Sequence, residues 1–295
     1  MILLDYSQVV IGSFMAVSKG EGVVEEDTLR HVILNNIRQF RNQFGNEYGE
    51  MVICCDHRKN WRKEIFPNYK ASRHKLKQDS SVDWKYLYEC LNIMRDDLKE
   101  YFPYKVVYVE SAEADDIIGV LTNHFNGLEK DILPGEQTLG TTLIISSDKD
   151  FLQLHKYEGV VQWSPLTKQF VTGDPDESLY EKLIRGDAGD GVPNILSSDD
   201  ILITEGKRQK PVTKKKLEAW RGKKPEEFCT EDMLRNYYRN KAMVDLSQTP
   251  ESIRALRDWQ KSEDGLGKNK DCNEVSPVDP DNPAESFTQN IQPDN

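Results

Sequence analysis

The strongest constraint on this chain is a repeated pattern in which a short apolar run ends on, or just before, a carboxylate. Residues 2–4 run into Asp5, residues 52–55 into Asp56, and residues 143–145 lead through two serines to Asp148 and Asp150. Short apolar runs without alternation are the pattern of strands buried on both faces of a parallel sheet. Such strands deliver the residues at their carboxyl ends to one shared edge. Glu113, Asp115 and Asp116 open a helical stretch after another strand-like run, and Asp187 and Asp190 lie in a Gly- and Asn-containing turn. Like charges crowded on one edge raise one another's pKa, whereas hard divalent cations take several carboxylate oxygens at once. The expectation is a multi-metal site, and with it phosphate-ester chemistry.

Each acidic group has an ordinary alternative. Acids in a first turn complement the helix dipole, which accounts equally well for Glu113, Asp115 and Asp116. Capping explains only one of Asp148 and Asp150, and turn chemistry alone favours a plain turn at Asp187 and Asp190. Their joint occurrence tips the balance toward a metal site.

The intervening segments predict helices. Residues 28–44 carry Leu29, Val32, Ile33, Ile37, Phe40 and Phe44 on one stripe, and residues 84–101 carry Leu87, Cys90, Leu91, Met94 and Leu98. A helix is also expected over 112–126, with strands at 2–5, 51–56, 105–109 and 142–147 and two short ones near 159–163 and 168–172. This alternation predicts an α/β fold with a mostly parallel central sheet, flanking helices and right-handed crossovers. Residues 57–83 are dense in cations and aromatics and lack apolar periodicity, so they are expected to project from the core. From 181 to 260 the chain turns to helical pieces with basic loops. Residues 261–295 are rich in Pro, Asn, Asp, Ser and Gly, and are expected to form a disordered acidic tail.

A formal charge of −11 sits awkwardly with nucleic-acid binding, but the last 35 residues hold three Lys and no Arg against eight acids and so supply −5 of it. Local patches decide binding, and metals neutralise an acidic cluster. Five scattered cysteines (Cys54, Cys55, Cys90, Cys229, Cys272) lack metal-ligand spacing and fit a reduced cytoplasmic compartment. No apolar run approaches a membrane span, and no Gly-rich loop ends in Lys-Ser/Thr. A soluble, unexported protein that does not hydrolyse nucleoside triphosphates is expected.

The chain resembles the flap endonuclease family of 5′-nucleases at these same places. The matching segments are Leu4-Asp5-Tyr6-Ser7-Gln8, Cys55-Asp56, Tyr69-Lys70-Ala71-Ser72-Arg73, Glu113-Ala114-Asp115-Asp116, residues 144–151, and Gly186-Asp187 with Asp190. They run in family order over about residues 1–195, and the likeness weakens but continues to about 250. Gln153-Leu154-His155-Lys156-Tyr157 and Gln162-Trp163-Ser164-Pro165 point to the branch formed by the ribonuclease H of T-even bacteriophages.

The resemblance implies a PIN-like 5′-nuclease fold with a catalytic domain at 1–180, a basic helical arch at 57–83, and a helical region at 181–260 holding a helix-three-turn-helix-like DNA-binding element. It implies two Mg2+, with Mn2+ as a substitute. Asp5, Asp56, Glu113 and Asp115 serve the first cation, Asp148, Asp150 and Asp190 the second, and Asp116 and Asp187 act from an outer shell or through water. Two cations about 4 Å apart generate hydroxide and stabilise the leaving oxygen without a protein nucleophile. Lys70 and Arg73 are expected on the scissile phosphate. Arg58, Lys59, Arg62, Lys63, Tyr69, Lys75 and Lys77 of the arch are expected to contact DNA, with Trp61, Phe66 and Tyr69 stacking bases. The alternatives are a solvated basic face and aromatics that seat the arch on the core.

In the helical region, the family's glycine run after the Asp pair is reduced and replaced by Lys207, Arg208 and Lys210, then Lys214, Lys215 and Lys216. This departure puts the family's monovalent-ion site in doubt and implies a salt-sensitive duplex grip, unless the run is simply a mobile loop. The implied substrates are RNA–DNA hybrid and flap or forked duplex DNA. The implied setting is lagging-strand maturation in the cytoplasm of the infected bacterium, by a monomer working with a single-stranded-DNA-binding protein and a sliding clamp. The rival readings are a PIN-like ribonuclease, against which the arch residues speak, and a binder that has lost catalysis, against which the intact acids speak.

Overall fold

A computed structural model describes residues 1–18, 24–127 and 140–256, so the expected acidic tail lies outside the described residues. Six strands form one sheet: β1 (Ile2–Asp5), β2 (Met51–Cys55), β3 (Lys105–Tyr108), β4 (Thr142–Ile145), β5 (Val160–Ser164) and β6 (Gln169–Val171). Their order is β3-β2-β1-β4-β5-β6, parallel except for β6, which returns antiparallel from β5 through a hairpin. The chain runs outward from β1 to β3 and then reappears on the other side of β1 as β4. A topological switch point therefore opens between β1 and β4, where α/β sheets place their ligands.

The central strands β1, β2 and β4 are buried along their whole length because both faces are covered. Ile2 and Leu4 face one core with α1 (Tyr6–Ser18), α2 (Glu26–Tyr48) and α5 (Trp84–Tyr101). Leu3, Val52, Cys54, Val107 and Ile144 face the other, against Ile117, Ile118 and Leu121 of α6 (Ala114–Asn126). Helix α1 does not appear in the sequence reading. It follows β1 directly and carries apolar residues nearly all round, so no amphipathic period marks it.

Between β2 and α5, the chain forms two short helices, α3 (Trp61–Ile65) and α4 (Ser72–Gln78). The expectation that this segment projects freely fails for its first half. Trp61, Arg62, Phe66 and Tyr69 are buried, and Phe66 and Tyr69 join Leu183, Val192, Met243 and Val244 in a small core of their own.

After β6 come α7 (Pro175–Arg185), α8 (Lys214–Trp220), α9 (Pro225–Phe228), α10 (Glu231–Val244) and α11 (Glu251–Arg254). Helix α7 begins before residue 181, where the helical region was expected to start, because Asp174 caps the amides of Asp176 and Glu177 ahead of Pro175. Ile184, Ile195, Val212 and Leu217 form the core under α8. Gln153 ties this region back to the sheet, donating to Asp150 O (2.9 Å) and Val244 O (3.0 Å) and accepting from Leu246 N (2.9 Å). No described helix is long and apolar enough to cross a membrane.

Candidate active site

Strand ends gather the carboxylates. Asp5 closes β1 in register with Cys54 of β2, so Asp56 lies close by, and Leu4 pairs with Ile145 of β4, which leads to Asp148. Asp5 accepts from Gln8 N (3.2 Å) and Ser146 Oγ (3.0 Å), and Asp56 accepts from Ala114 N (2.7 Å). Burial, followed by the charges of Asp56 and Asp148, pushes the Asp5 carboxyl up to about 7. Burial also raises Asp115 well above the ordinary carboxylate range, reinforced by Asp5 and Asp148. Four aspartates from different segments thus feel one another at one edge of the sheet.

The Asp148 loop is held from beneath by Gln162 of β5. Its amide donates to Ser146 O (2.8 Å) and Asp148 O (2.7 Å), while Asp148 accepts from Asp150 N (2.9 Å).

Glu113 and Asp190 are bridged by the segment between α3 and α4. Tyr69 Oη lies 3.0 Å from both carboxylates, which share its one proton, Lys70 Nζ contacts Glu113 at 2.5 Å and Asp190 at 3.6 Å, and Arg73 pairs with Asp190. Burial would raise the Glu113 carboxyl, but Lys70 and Arg62 outweigh it and hold it at about 2. Lys70 itself has φ 57°, a conformation that costs a non-glycine residue about 1 kcal/mol, and its N–H donates to Asp190 O at 2.8 Å. Gly191 permits this approach: its φ is +73°, and a Cβ there would meet Asn68 O at 2.7 Å. The chain is strained at the residue that carries the ammonium to the acids.

Asp116 is withdrawn from the open edge to a place behind Glu113. It has no exposed surface, and it accepts from Trp61 Nε1 (3.0 Å), Thr249 Oγ1 (3.2 Å), the Glu113 N–H (3.0 Å) and Arg62 (2.8 and 3.0 Å). Its oxygens are engaged inside the protein, so it braces Glu113 from behind.

Arg62 is corrected in the same way. Its guanidinium is 2% exposed and is spent on Asp116, Glu113 and Met243 O, so it cannot reach DNA. Tyr69 is buried at 3% and acts through its hydroxyl, and Trp61 and Phe66 are likewise buried. None of the three offers a face to a base; they seat the segment on the core.

Arg58, Lys59 and Lys63 are exposed, with Lys59 3.4 Å from Glu110, while Lys75 lies in α4. Lys77 donates to Tyr88 Oη (2.5 Å) and lies over the Trp84 ring, which occupies its ammonium. Lys207, Arg208, Lys210, Lys214, Lys215 and Lys216 are all exposed, Lys207 pairing with Asp200 at 2.8 Å. The segment before them is pinned: Asn194 donates to Lys210 O (2.8 Å), and Asn236 donates to Ile195 O (3.1 Å) and Ser197 O (3.0 Å).

One residue at the acidic edge carries no mark in the sequence. Lys182 of α7 contacts Asp150 and, at 2.8 Å, Asp187, whose carboxyl it holds below the ordinary range against the raising effect of burial. Asp150 is far away in sequence, so no local spacing marks the pair.

The donor set suits hard divalent cations, being carboxylate oxygens of which two are held at raised pKa, first by burial and then by neighbouring acids. Among the described residues, no three acids are close enough to enclose one ion as they stand. Lys70, Arg73 and Lys182 lie against Glu113, Asp190, Asp150 and Asp187.

Residues 1–182 match the 5′–3′ exonuclease, N-terminal resolvase-like domain. The ribonuclease H of Enterobacteria phage T4 is 31% identical over 261 residues, covering 85% of this chain and 82% of that protein. The flap endonuclease Xni of Shewanella sp. (strain MR-4) is 26% identical over 145 residues, 46% of this chain and 48% of that one. Among solved structures, a zinc-bound bacteriophage T5 5′-exonuclease superposes with a TM-score of 0.57 at 17% identity, covering 90% of this chain and 95% of that one. A phage T5 flap endonuclease in a pseudo-enzyme–product complex with DNA and metal ions gives 0.58 at 16% identity, covering 90% and 94%. The chain belongs to the 5′–3′ exonuclease family. It is a 5′-nuclease, a phosphodiesterase of the type found in phage ribonuclease H.

Proposed function

We propose that this enzyme uses two magnesium ions to remove RNA primers and adjacent DNA from the 5′ ends of lagging-strand fragments, and cuts 5′ flaps and forks. The observation that carries the reading is the gathering of Asp5, Asp56, Asp115 and Asp148 at the β1/β4 switch point, with Lys70 and Arg73 seated on the adjoining Glu113 and Asp190. Asp5, Asp56, Glu113 and Asp115 would hold one ion, and Asp148, Asp150 and Asp190 the other, with Asp187 bracing the second group. Bound magnesium, for which manganese substitutes, would supply an activated water and charge neutralisation at the phosphate.

The chain's own groups do the rest. Lys70 and Arg73 turn from the carboxylates to the scissile phosphate, where charge-assisted hydrogen bonds stabilise the charge that develops. Ser146 holds Asp5, and Gln162 holds the Asp148 loop. Burial pushes the Cys54 and Cys55 thiols far up, so neither is a nucleophile.

On this reading, residues 1–180 are the catalytic unit, 57–83 the gateway for single strands, and 181–260 the duplex grip, with the exposed cations at 207–216 facing the backbone. The setting is phage replication in the cytoplasm of the host bacterium, where a monomer works beside a single-stranded-DNA-binding protein and a sliding clamp. The test is cleavage of 5′-labelled RNA-primed nicked duplex, all-DNA nicked duplex and 5′-flap DNA in magnesium. Short products from the primed and flap substrates, leaving 3′-hydroxyl ends, support the reading; internal cutting of single-stranded RNA instead would favour a PIN-like ribonuclease.

A further inference from the structure

Lys182 lies near the carboxyl end of α7, just before the chain turns at Gly186. Its side chain is 19% exposed, and its ammonium lies between two carboxylates from separate segments: Asp150 after β4, and Asp187 in the turn after α7. Among the described residues it is the one cation paired with either of them. Asp5 and Asp56 are different. Their partners are amides and a serine hydroxyl, with no ion pair among the described residues. One part of the acidic edge therefore lacks a counter-ion, and another part has one built in.

We propose that Lys182 is the resident counter-ion of the second cation site, holding Asp150 and Asp187 together in the cation-free protein, and that the second divalent ion binds by displacing it. This inference rests on the two-cation reading above. An ion entering between Asp148, Asp150 and Asp190 meets an ammonium already in contact with one of its ligands, and the two positive charges repel at close range. An ion at Asp5 and Asp56 meets no ammonium on those two ligands; Lys70, paired with Glu113 beside them, turns to the phosphate in the reading above. The two sites therefore differ in affinity, the second being the weaker and more readily exchanged. Lys182 also relieves the repulsion between Asp150 and Asp187, so the cation-free protein depends on it for stability.

The experiment is a Mn2+ titration followed by electron paramagnetic resonance on the full chain, for the wild type, Lys182→Met, Lys182→Arg and Asp150→Asn. Thermal unfolding is measured alongside, in EDTA and in excess Mn2+. The expected result is a tight and a weak class in the wild type and in Lys182→Arg. In Lys182→Met the weak class tightens by about tenfold or more while the tight class is unchanged, and Mn2+ raises Tm by more than in the wild type. If Asp150→Asn loses the weak class but Lys182→Met binds as the wild type does, Lys182 is not the competitor, although two cations are bound. A single class untouched by Asp150→Asn overturns both this inference and the two-cation reading.

Discussion

Arg62 and Asp116 form an ion pair wholly inside the protein, with side chains 2% and 0% exposed and contacts of 2.8 and 3.0 Å. The pair joins three parts of the chain, because Arg62 also donates to Met243 O (2.9 Å) and Glu113 (3.0 Å), and Asp116 also accepts from Thr249 (3.2 Å). It fixes the back of Glu113 while the front faces Lys70.

Breaking this pair on one side strands a buried charge. Arg62→Met or Asp116→Leu should each destabilise the protein by about 3–5 kcal/mol, and the double substitution by much less than their sum. Urea unfolding of the four proteins of the cycle measures this. Additive losses would mean that the two side chains do not act as a pair.

Lys70 approaches Glu113 and Asp190 in the same cluster, but from the solvent side. Lys70→Ala should lower single-turnover cleavage by about a hundredfold, while divalent-ion binding at Asp5 and Asp56 is retained. Rapid-quench kinetics beside Mn2+ binding separates the two effects; a loss confined to metal binding would remove Lys70 from the phosphate.

The raised carboxyl of Asp5 has a pH signature. Unfolded, it releases its proton near the ordinary 3.8; folded, it holds the proton to about 7, first through burial and then through Asp56 and Asp148. The stability it contributes is complete below pH ~4 and is lost as pH rises through about 7. In EDTA, Tm should therefore fall between about pH 4.5 and about pH 7.5, and Asp5→Asn should flatten that fall. Excess magnesium should reduce it, because ionised acids are what the cation binds. Calorimetry across this range checks the sign, and a wild-type Tm that rises with pH in EDTA would contradict it.

The exposed cations at Lys207, Arg208, Lys210, Lys214, Lys215 and Lys216 should make duplex binding steeply salt-dependent. Each one replaced by Ala should weaken binding to all sequences alike and flatten the log–log salt slope by about one. Fluorescence anisotropy on a nicked duplex measures it, and an unchanged slope in a triple Lys214, Lys215 and Lys216 variant would mean that the run is a solvated loop.

What was legible in the sequence followed from short-range physics. Apolar runs ending at Asp5, Asp56 and Asp148 had to be buried strands, and parallel strands carry their ends to one edge. The stripes of α2 and α5 were visible because one face of each meets solvent. What stayed hidden depended on partners distant in sequence. Arg62 reads as one more cation in a basic run, and only the fold reveals that its guanidinium is spent on Asp116, 54 residues away. Lys182 is invisible for the same reason, since Asp150 lies in another segment. Tyr69 was found by its motif but misread, because a motif does not say which face of an aromatic is covered.

If the acids at the β1/β4 switch point carry metal-dependent cleavage, Asp148→Asn abolishes it. With wild type and variant compared on a 5′-labelled RNA–DNA/DNA duplex and a 5′-flap substrate in magnesium, short 5′ products are expected from the wild type only, with DNA binding retained by both. Equal cleavage by the two proteins would contradict it and move the catalytic centre elsewhere.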